Sequence, residues 1–301
     1  MSLIDPTVAL AGLFVGFVVG LTGMGGGALM TPILVLLFKV QPLAAVSSDI
    51  VASMIMKPVG GGVHWRRGTV NTGLVKWLML GSVPSAFLGV LLLKSSGQGE
   101  ALQHHVKLAL GLALLVVAVG LIIRPLLVRG RQPGDSIAPL VVKRLPTVLI
   151  GIAGGLVVGL TSVGSGSLMI ILLLMLYPKL RLSELVGTDL VQAIPLVASA
   201  ALGHAFFGDF RLALTASILV GSVPGVFIGA QLSSRAPDGL IRPALILVLL
   251  GSSLKLLGSS NAVLGGVIVL FAAAYLAVRA TEQRSARAVL GLSGKSPVLK
   301  G

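Results

Sequence analysis

The sequence predicts an all-α membrane protein of two inverted repeats, each a broken-helix hairpin plus three transmembrane helices, with one extra C-terminal helix. Three observations predict it. The 301 residues are 55% hydrophobic and 11% charged, with a mean hydropathy of +1.04, whereas soluble domains carry about 25% charged residues. The two halves repeat each other at an offset of 139 to 140 residues. The basic residues collect on one side of the membrane only if those repeats are inverted.

The composition also excludes several functions. The chain has no cysteine, which removes disulfides, thiolate metal sites, iron–sulfur clusters and cysteine nucleophiles. The net charge of +14 comes from residues at the ends of apolar runs, where topology signals lie, so nucleic acid is not an expected partner. Residues 1–7 hold no Lys or Arg, so the apolar run that follows lacks the basic flank of a signal peptide.

The apolar segments are Val8–Phe38, Leu43–Val63, Leu74–Leu93, Val106–Ile123, Val148–Tyr177, Leu185–Phe206, Leu212–Leu232, Ile241–Gly258 and Val263–Val278. All but Val8–Phe38 and Val148–Tyr177 are close to one bilayer-spanning helix of about 20 residues. The two long segments carry the glycine-rich stretches Gly20-Leu-Thr-Gly-Met-Gly-Gly-Gly-Ala-Leu-Met-Thr-Pro32 and Gly159-Leu-Thr-Ser-Val-Gly-Ser-Gly-Ser-Leu-Met169. Glycine costs about 1 kcal/mol against alanine in a helix, so both segments are expected to break there. The first arm, Val8–Gly20, would then be about 20 Å long and stop inside the membrane.

The repeat extends beyond these loops. Gly12, Gly16 and Gly20 match Gly151, Gly155 and Gly159, and Ser48-Asp49 matches Thr188-Asp189. His64-x-x-x-Gly68 matches His204-x-x-x-Gly208, and Gly81-Ser-Val-Pro84 matches Gly221-Ser-Val-Pro224. If each long segment is a hairpin, each half crosses the membrane three times and the halves are inverted. Sixteen basic residues then fall inside against three outside; single spans would give eight against eleven. The expected organisation is a first membrane repeat over 1–123, a basic cytoplasmic linker over 124–144, a second repeat over 145–258, and an extra helix with a basic cytoplasmic tail over 259–301. The protein is expected in the cell (inner) membrane with its N-terminus outside and its C-terminus in the cytoplasm. Its oligomeric state, monomer or homodimer, stays open.

Broken helices in corresponding positions of two halves point to a transporter's substrate site. A hairpin tip presents free N–H groups and partial positive charge at the start of its second arm. The candidate substrate-binding residues are therefore Thr22, Gly23, Met24, Gly25, Gly26 and Gly27 in the first loop. In the second they are Thr161, Ser162, Val163, Gly164, Ser165, Gly166 and Ser167. Close packing is the competing reading, and it is the one adopted for Gly12, Gly16, Gly20 and their mates. Lys57 lies deep in an apolar segment and is matched by Val197; it is either an internal charge partner of Asp49, two steps of four earlier, or, the favoured reading, a cation near the anion path. Asp49 and Asp189 are either proton carriers, as intramembrane acids often are, or stabilisers of their helix N-termini. His64 and His204 are candidates for proton coupling or gating. No His, Asp or Glu spacing supplies a metal site, and no cofactor is expected. The polar residues are spread over both halves and not clustered as in an enzyme.

The pattern Gly20-Leu-Thr-Gly-Met-Gly-Gly-Gly…Pro32, a His-x-x-x-Gly turn and a Gly-rich third helix, all repeated, resembles the sulfite exporter TauE/SafE family, also called the 4-toluene sulfonate uptake permease family. The likeness covers about Leu10 to Gly258. It implies a secondary transporter, not an enzyme, for a small sulfur-containing anion of the sulfite, sulfonate or sulfoacetate type, with export implied by the family name. Where the family's Gly/Ala-Thr-Ser triplet is expected, this chain has Ser47-Ser48-Asp49 and Gly187-Thr188-Asp189. Those site-adjacent acids would repel an anion unless protonated or paired, so protons are expected partners beside the anion and the lipid bilayer.

Overall fold

A computed structural model describes residues 4–22, 25–128, 141–232, 238–273 and 275. Regular structure among them is entirely helical. The first half contains α1 (Pro6–Thr22), α2 (Gly27–Leu36), α3 (Pro42–Arg66), α4 (Thr72–Ser95) and α5 (Gly99–Val128). The second contains α6 (Arg144–Thr161), α7 (Leu168–Leu176), α8 (Leu182–Phe207), α9 (Leu212–Leu232) and α10 (Asp238–Leu256). Among the described residues, α3, α4, α5, α6, α8 and α9 are long and apolar enough to cross a membrane. The chain divides into two units, Met1–Gly258 and Ser259–Gly301. The second contains the apolar helix Asn261–Ala273.

Both glycine stretches break their helices. α1 ends at Thr22 and α2 begins at Gly27, while Ser162 to Ser167 separate α6 from α7. The second break reverses the chain. Tyr177 Oη lies 2.5 Å from Thr147 Oγ1 and accepts the Lys143 N–H at 2.9 Å, whereas residues 147 and 177 of a straight helix would stand about 45 Å apart. Three residues supply the left-handed turns: Ser162 at φ 64°, Gly164 at 124° and Gly166 at 97°. For the glycines this conformation carries no steric cost.

Packing crosses between the halves. α1 lies along α9, and α6 lies along α4. A methyl group on Gly12 would sit 2.8 Å from the Ile218 carbonyl oxygen, and one on Gly16 or Gly20 would run into the backbone of Ser222 or Val226. The mates repeat this one for one: Gly151 faces Leu78, Gly155 faces Ser82, and Gly159 faces Ala86. Small residues let helices touch backbone to backbone where lipid gives no hydrophobic drive to associate. These six glycines are therefore packing residues, as their four-residue spacing suggests.

α3 and α8 also pair, each with its start against the other's end. Ser47 near the start of α3 meets His204 near the end of α8, and Gly187 near the start of α8 lies against His64 and Thr69. The two helices thus run antiparallel. α5 continues past Pro125 to Val128, and α6 opens at Arg144. Of the expected linker, residues 129–140 lie outside the described residues, as do Gly23 and Met24 of the first loop.

Candidate functional site

The two helix breaks meet each other. A Cβ on Gly25 would collide with the Ser165 carbonyl, and one on Gly27 with the Ser162 carbonyl. Only glycine lets the two loops come this close. Gly26 points elsewhere: a Cβ there would find only Met56 Cε, at 3.8 Å.

Three charged side chains from the antiparallel pair surround the junction. Asp49 of α3 is 1% exposed, and its Oδ2 accepts from Thr31 Oγ1 at 2.9 Å and Ser162 Oγ at 2.7 Å. One carboxylate thereby binds α2 to the break between α6 and α7. Lys57, two turns further along α3, donates from Nζ to Ser165 Oγ at 2.8 Å. Asp189 of α8 is fully buried; its Oδ1 accepts from Gln192 Nε2 at 3.0 Å, and its Oδ2 has no hydrogen-bond partner within 3.5 Å. Lys57 interacts electrostatically with both carboxylates. Arg211 and Asp209 form an ion pair of 2.9 Å at the surface. The central trio holds one lysine and two acids, so with all three charged its net charge is −1. An uncompensated buried charge is costly, and a single proton would bring the trio to neutrality.

The remaining loop residues have defined places. Thr22 and Thr161 close their helices by donating to the carbonyls of Val18 at 2.8 Å and Val157 at 2.6 Å. Val163 is buried, and the Gly164 carbonyl accepts from Met169 N–H at 3.2 Å. The Gly166 amide faces the Asp189 carboxylate, while Ser167 Oγ is buried with no partner within hydrogen-bonding range. Two of the hydroxyls suited to an oxyanion, Ser162 and Ser165, are thus engaged by Asp49 and Lys57.

A cavity of about 360 Å³ reaches this junction. Thr22, Gly25, Gly26, Ser53, Met56 and Lys57 form its deep wall, and Gly60 and His64 continue outward along α3. Its outer part is lined by Arg67, Arg124 and Arg242, from the ends of α3, α5 and α10. In the sequence these three arginines stand only at the ends of apolar runs. Their convergence depends on which helix ends are neighbours, which no local pattern records. The repeat mates of the cavity wall are packed shut. Ser53, Met56, Lys57 and Gly60 correspond to Ala193, Leu196, Val197 and Ala200, all within a buried cluster with Ile50, Ala86, Val158 and Met169.

The two histidines differ accordingly. His64 is part-buried on the cavity wall, with Nδ1 3.0 Å from Thr69 Oγ1. His204 is fully buried. Its Nε2 lies 2.8 Å from the Gly159 carbonyl, which only accepts, so Nε2 carries a proton. Its Nδ1 lies 2.8 Å from Ser47 Oγ. Ser48 Oγ accepts from the Arg211 N–H at 3.3 Å and Thr188 Oγ1 from the Asn71 N–H at 3.0 Å. Ser47, Ser48, Gly187 and Thr188 therefore tie the ends of α3 and α8 to the neighbouring turns and stand away from the loop tips. Among the described residues no group of three His, Cys, Asp or Glu could hold a metal ion.

Two facing helix breaks, with a buried lysine between two acids and a cavity that reaches them, fit a polytopic membrane protein of the transporter class. The family description for sulfite exporter TauE/SafE matches residues 8–256, and the chain belongs to that family. It is a multi-pass membrane transporter of the TauE/SafE type. Among curated relatives, the probable membrane transporter protein YjnA of Bacillus subtilis (strain 168) is 42% identical over 257 residues, covering 83% of this chain and 99% of the relative. The probable membrane transporter protein YdhB of the same organism is 25% identical over 80% of this chain and 95% of the relative. No solved structure matches.

Proposed function

We propose that the protein exports a small sulfur-containing anion of the sulfite, sulfonate or sulfoacetate type across the cell (inner) membrane, coupled to protons. The observation that carries this reading is the placement of Lys57. Its ammonium lies on the wall of a cavity, against the tips of two broken helices, and interacts with two buried carboxylates. An anion reaching Lys57 would replace the Ser165 hydroxyl as its partner and meet the N-terminal end of α2, where helix dipoles favour negative charge. With Asp49 and Asp189 both ionised the trio repels it; with one protonated the repulsion is lifted. Proton and anion thus load together, which is a differential-affinity requirement for coupling.

Inverted repeats are supported by the antiparallel course of α3 and α8, since repeat mates related by an axis in the membrane plane must run oppositely. On that view the cavity and the sealed cluster at its repeat-related position are the two ends of one path, of which one is open. The open end carries Arg67, Arg124 and Arg242. The positive-inside rule assigns that end to the cytoplasm, where cargo for export would load. His204, locked between Ser47 and Gly159, belongs to the closed end as a gate pin.

Reconstitution tests this directly. Asp49→Asn and Asp189→Asn variants, alone and together, should still exchange radiolabelled sulfite between proteoliposome compartments at equal pH. They should fail to accumulate it when a pH difference is imposed. Accumulation persisting in the double variant would remove proton coupling through these acids. Absence of sulfite exchange by the unaltered protein would remove sulfite as cargo.

A further inference from the structure

We infer that Met56 limits the size of the anion that reaches Lys57, admitting an oxyanion with a small substituent and excluding one that carries an aromatic ring. Ser53, Met56, Lys57 and Gly60 recur at helical spacing on one face of α3, and all four line the cavity. Met56 is 8% exposed. Its side chain reaches the first break, where its Cε is the nearest atom to a Cβ built on Gly26, at 3.8 Å. Its Sδ accepts from Ser222 Oγ of α9 at 3.2 Å. Methionine is unbranched with three rotatable bonds, so by itself it holds no single course. The Ser222 hydroxyl fixes it beside Gly26.

What stands on either side of Met56 gives the position its importance. The next residue along α3 is Lys57, and the residues after Gly26 open α2, whose first N–H groups have no partner within the helix. An oxyanion that takes both lies beside the Met56 methyl group. An ion the size of sulfite leaves that methyl undisturbed. A ring carried on the sulfur would need the thioether to swing aside and release Ser222. One methylene too many in a close-fitting pocket is discriminated roughly ten- to 200-fold, so a whole ring is excluded at least about tenfold. The filter belongs to the open end alone. The repeat mate of Met56 is Leu196, fully buried and without an acceptor atom. Ser82, the mate of Ser222, donates instead to Gln192 Oε1 at 3.1 Å.

Only in taking an anion as the occupant does this role rest on the export reading, and the cysteine-free sequence lets the size limit be measured without transport. A thiol at Gly26→Cys would stand beside Met56, and one at Gly60→Cys would stand a turn further out on the cavity wall. Methyl and benzyl methanethiosulfonate are both neutral, so their relative rates report room and not charge. At Gly26→Cys in purified protein the benzyl reagent should react roughly tenfold more slowly than the methyl one. At Gly60→Cys the two should react at similar rates. Adding Met56→Ala should bring the rates at Gly26→Cys together, while Met56→Leu, which conserves volume, should keep them apart. Ser222→Ala leaves the methionine in place but unheld, and should narrow the gap. Methanesulfonate should protect Gly26→Cys from the methyl reagent, and benzenesulfonate should do so only once Met56→Ala is added. A rate ratio indifferent to both Met56→Ala and Ser222→Ala, or protection by benzenesulfonate with Met56 intact, would overturn the size limit. Protection by neither sulfonate would remove the anion site and this role with it. Absence of sulfite exchange with protection intact would count against export and leave the role of Met56 standing.

Discussion

The contact between the loop tips makes an unequal forecast for three adjacent glycines. Gly27→Ala places a methyl group against the Ser162 carbonyl, and Gly25→Ala places one against the Ser165 carbonyl. Both positions are well inside van der Waals separation, so the tips must part by about 1 Å. Overpacking of this kind costs about 1–3 kcal/mol. For Gly27→Ala it also pulls Ser162 from Asp49, a 2.7 Å bond to a carboxylate, and such bonds contribute about 1.5–3 kcal/mol. The combined loss is roughly 3–5 kcal/mol. For Gly25→Ala the bond at risk is that of Lys57 to Ser165, at 2.8 Å. Gly26→Ala has 3.8 Å to its nearest neighbour and should stay within about 0.5 kcal/mol of the parent. Melting of the three purified variants in one detergent provides the assay. Gly25→Ala and Gly27→Ala should melt on the order of 10 °C lower, with Gly26→Ala near the parent. Equal melting across the three would refute the meeting of the tips. Gly26→Leu, in contrast, should fold and block transport, because its side chain enters the cavity.

Other perturbations follow from the same geometry. Lys57→Met should lower sulfite exchange at least tenfold and destabilise the protein by about 3 kcal/mol, since it leaves two buried acids without their cation; adding Asp189→Asn should restore part of the stability but not the exchange. His204→Ala should cost roughly 2–4 kcal/mol in thermal or denaturant unfolding, because both the Gly159 carbonyl and Ser47 lose a buried partner, while its pH profile of transport should match the parent's. For topology, a thiol at Ser95→Cys should react with an impermeant reagent on intact cells, and one at Ser183→Cys only after permeabilisation.

Much of the frame was legible in the sequence because glycine and charge are local signals. The breaks near Gly25 and Gly166 and the packing role of Gly12 and Gly151 follow from residue type and spacing, whereas α5 runs from Gly99 to Val128, past both ends of the apolar segment Val106–Ile123. Pairwise geometry was not legible in the same way. Nothing near Ser162 in the sequence shows that its hydroxyl serves Asp49, 113 residues away, and nothing near Arg67 shows that Arg124 and Arg242 share its cavity. Gly25, Gly26 and Gly27 also look alike as letters, yet two face the opposite loop and one faces open space. Where they point depends on a second loop about 140 residues further on. The histidines show the limit of the repeat itself: identical residues at mated positions, one on an open wall and one sealed in a core.

The crosswise docking of the hairpin arms has a consequence for synthesis. α1 leaves the ribosome first, but α9, the helix it lies along, begins about 190 residues later. At typical elongation rates of about 5–20 residues per second, roughly 10–40 s pass before that surface exists. Over that interval an apolar helix of 17 residues keeps its glycine stripe uncovered. Neither half can mature alone, because α6 completes its packing on α4 while α1 still awaits α9. Assembly therefore finishes at its beginning, with the earliest-made helix among the last to dock. A chain truncated before Leu212 should strand α1 and be cleared by membrane proteolysis.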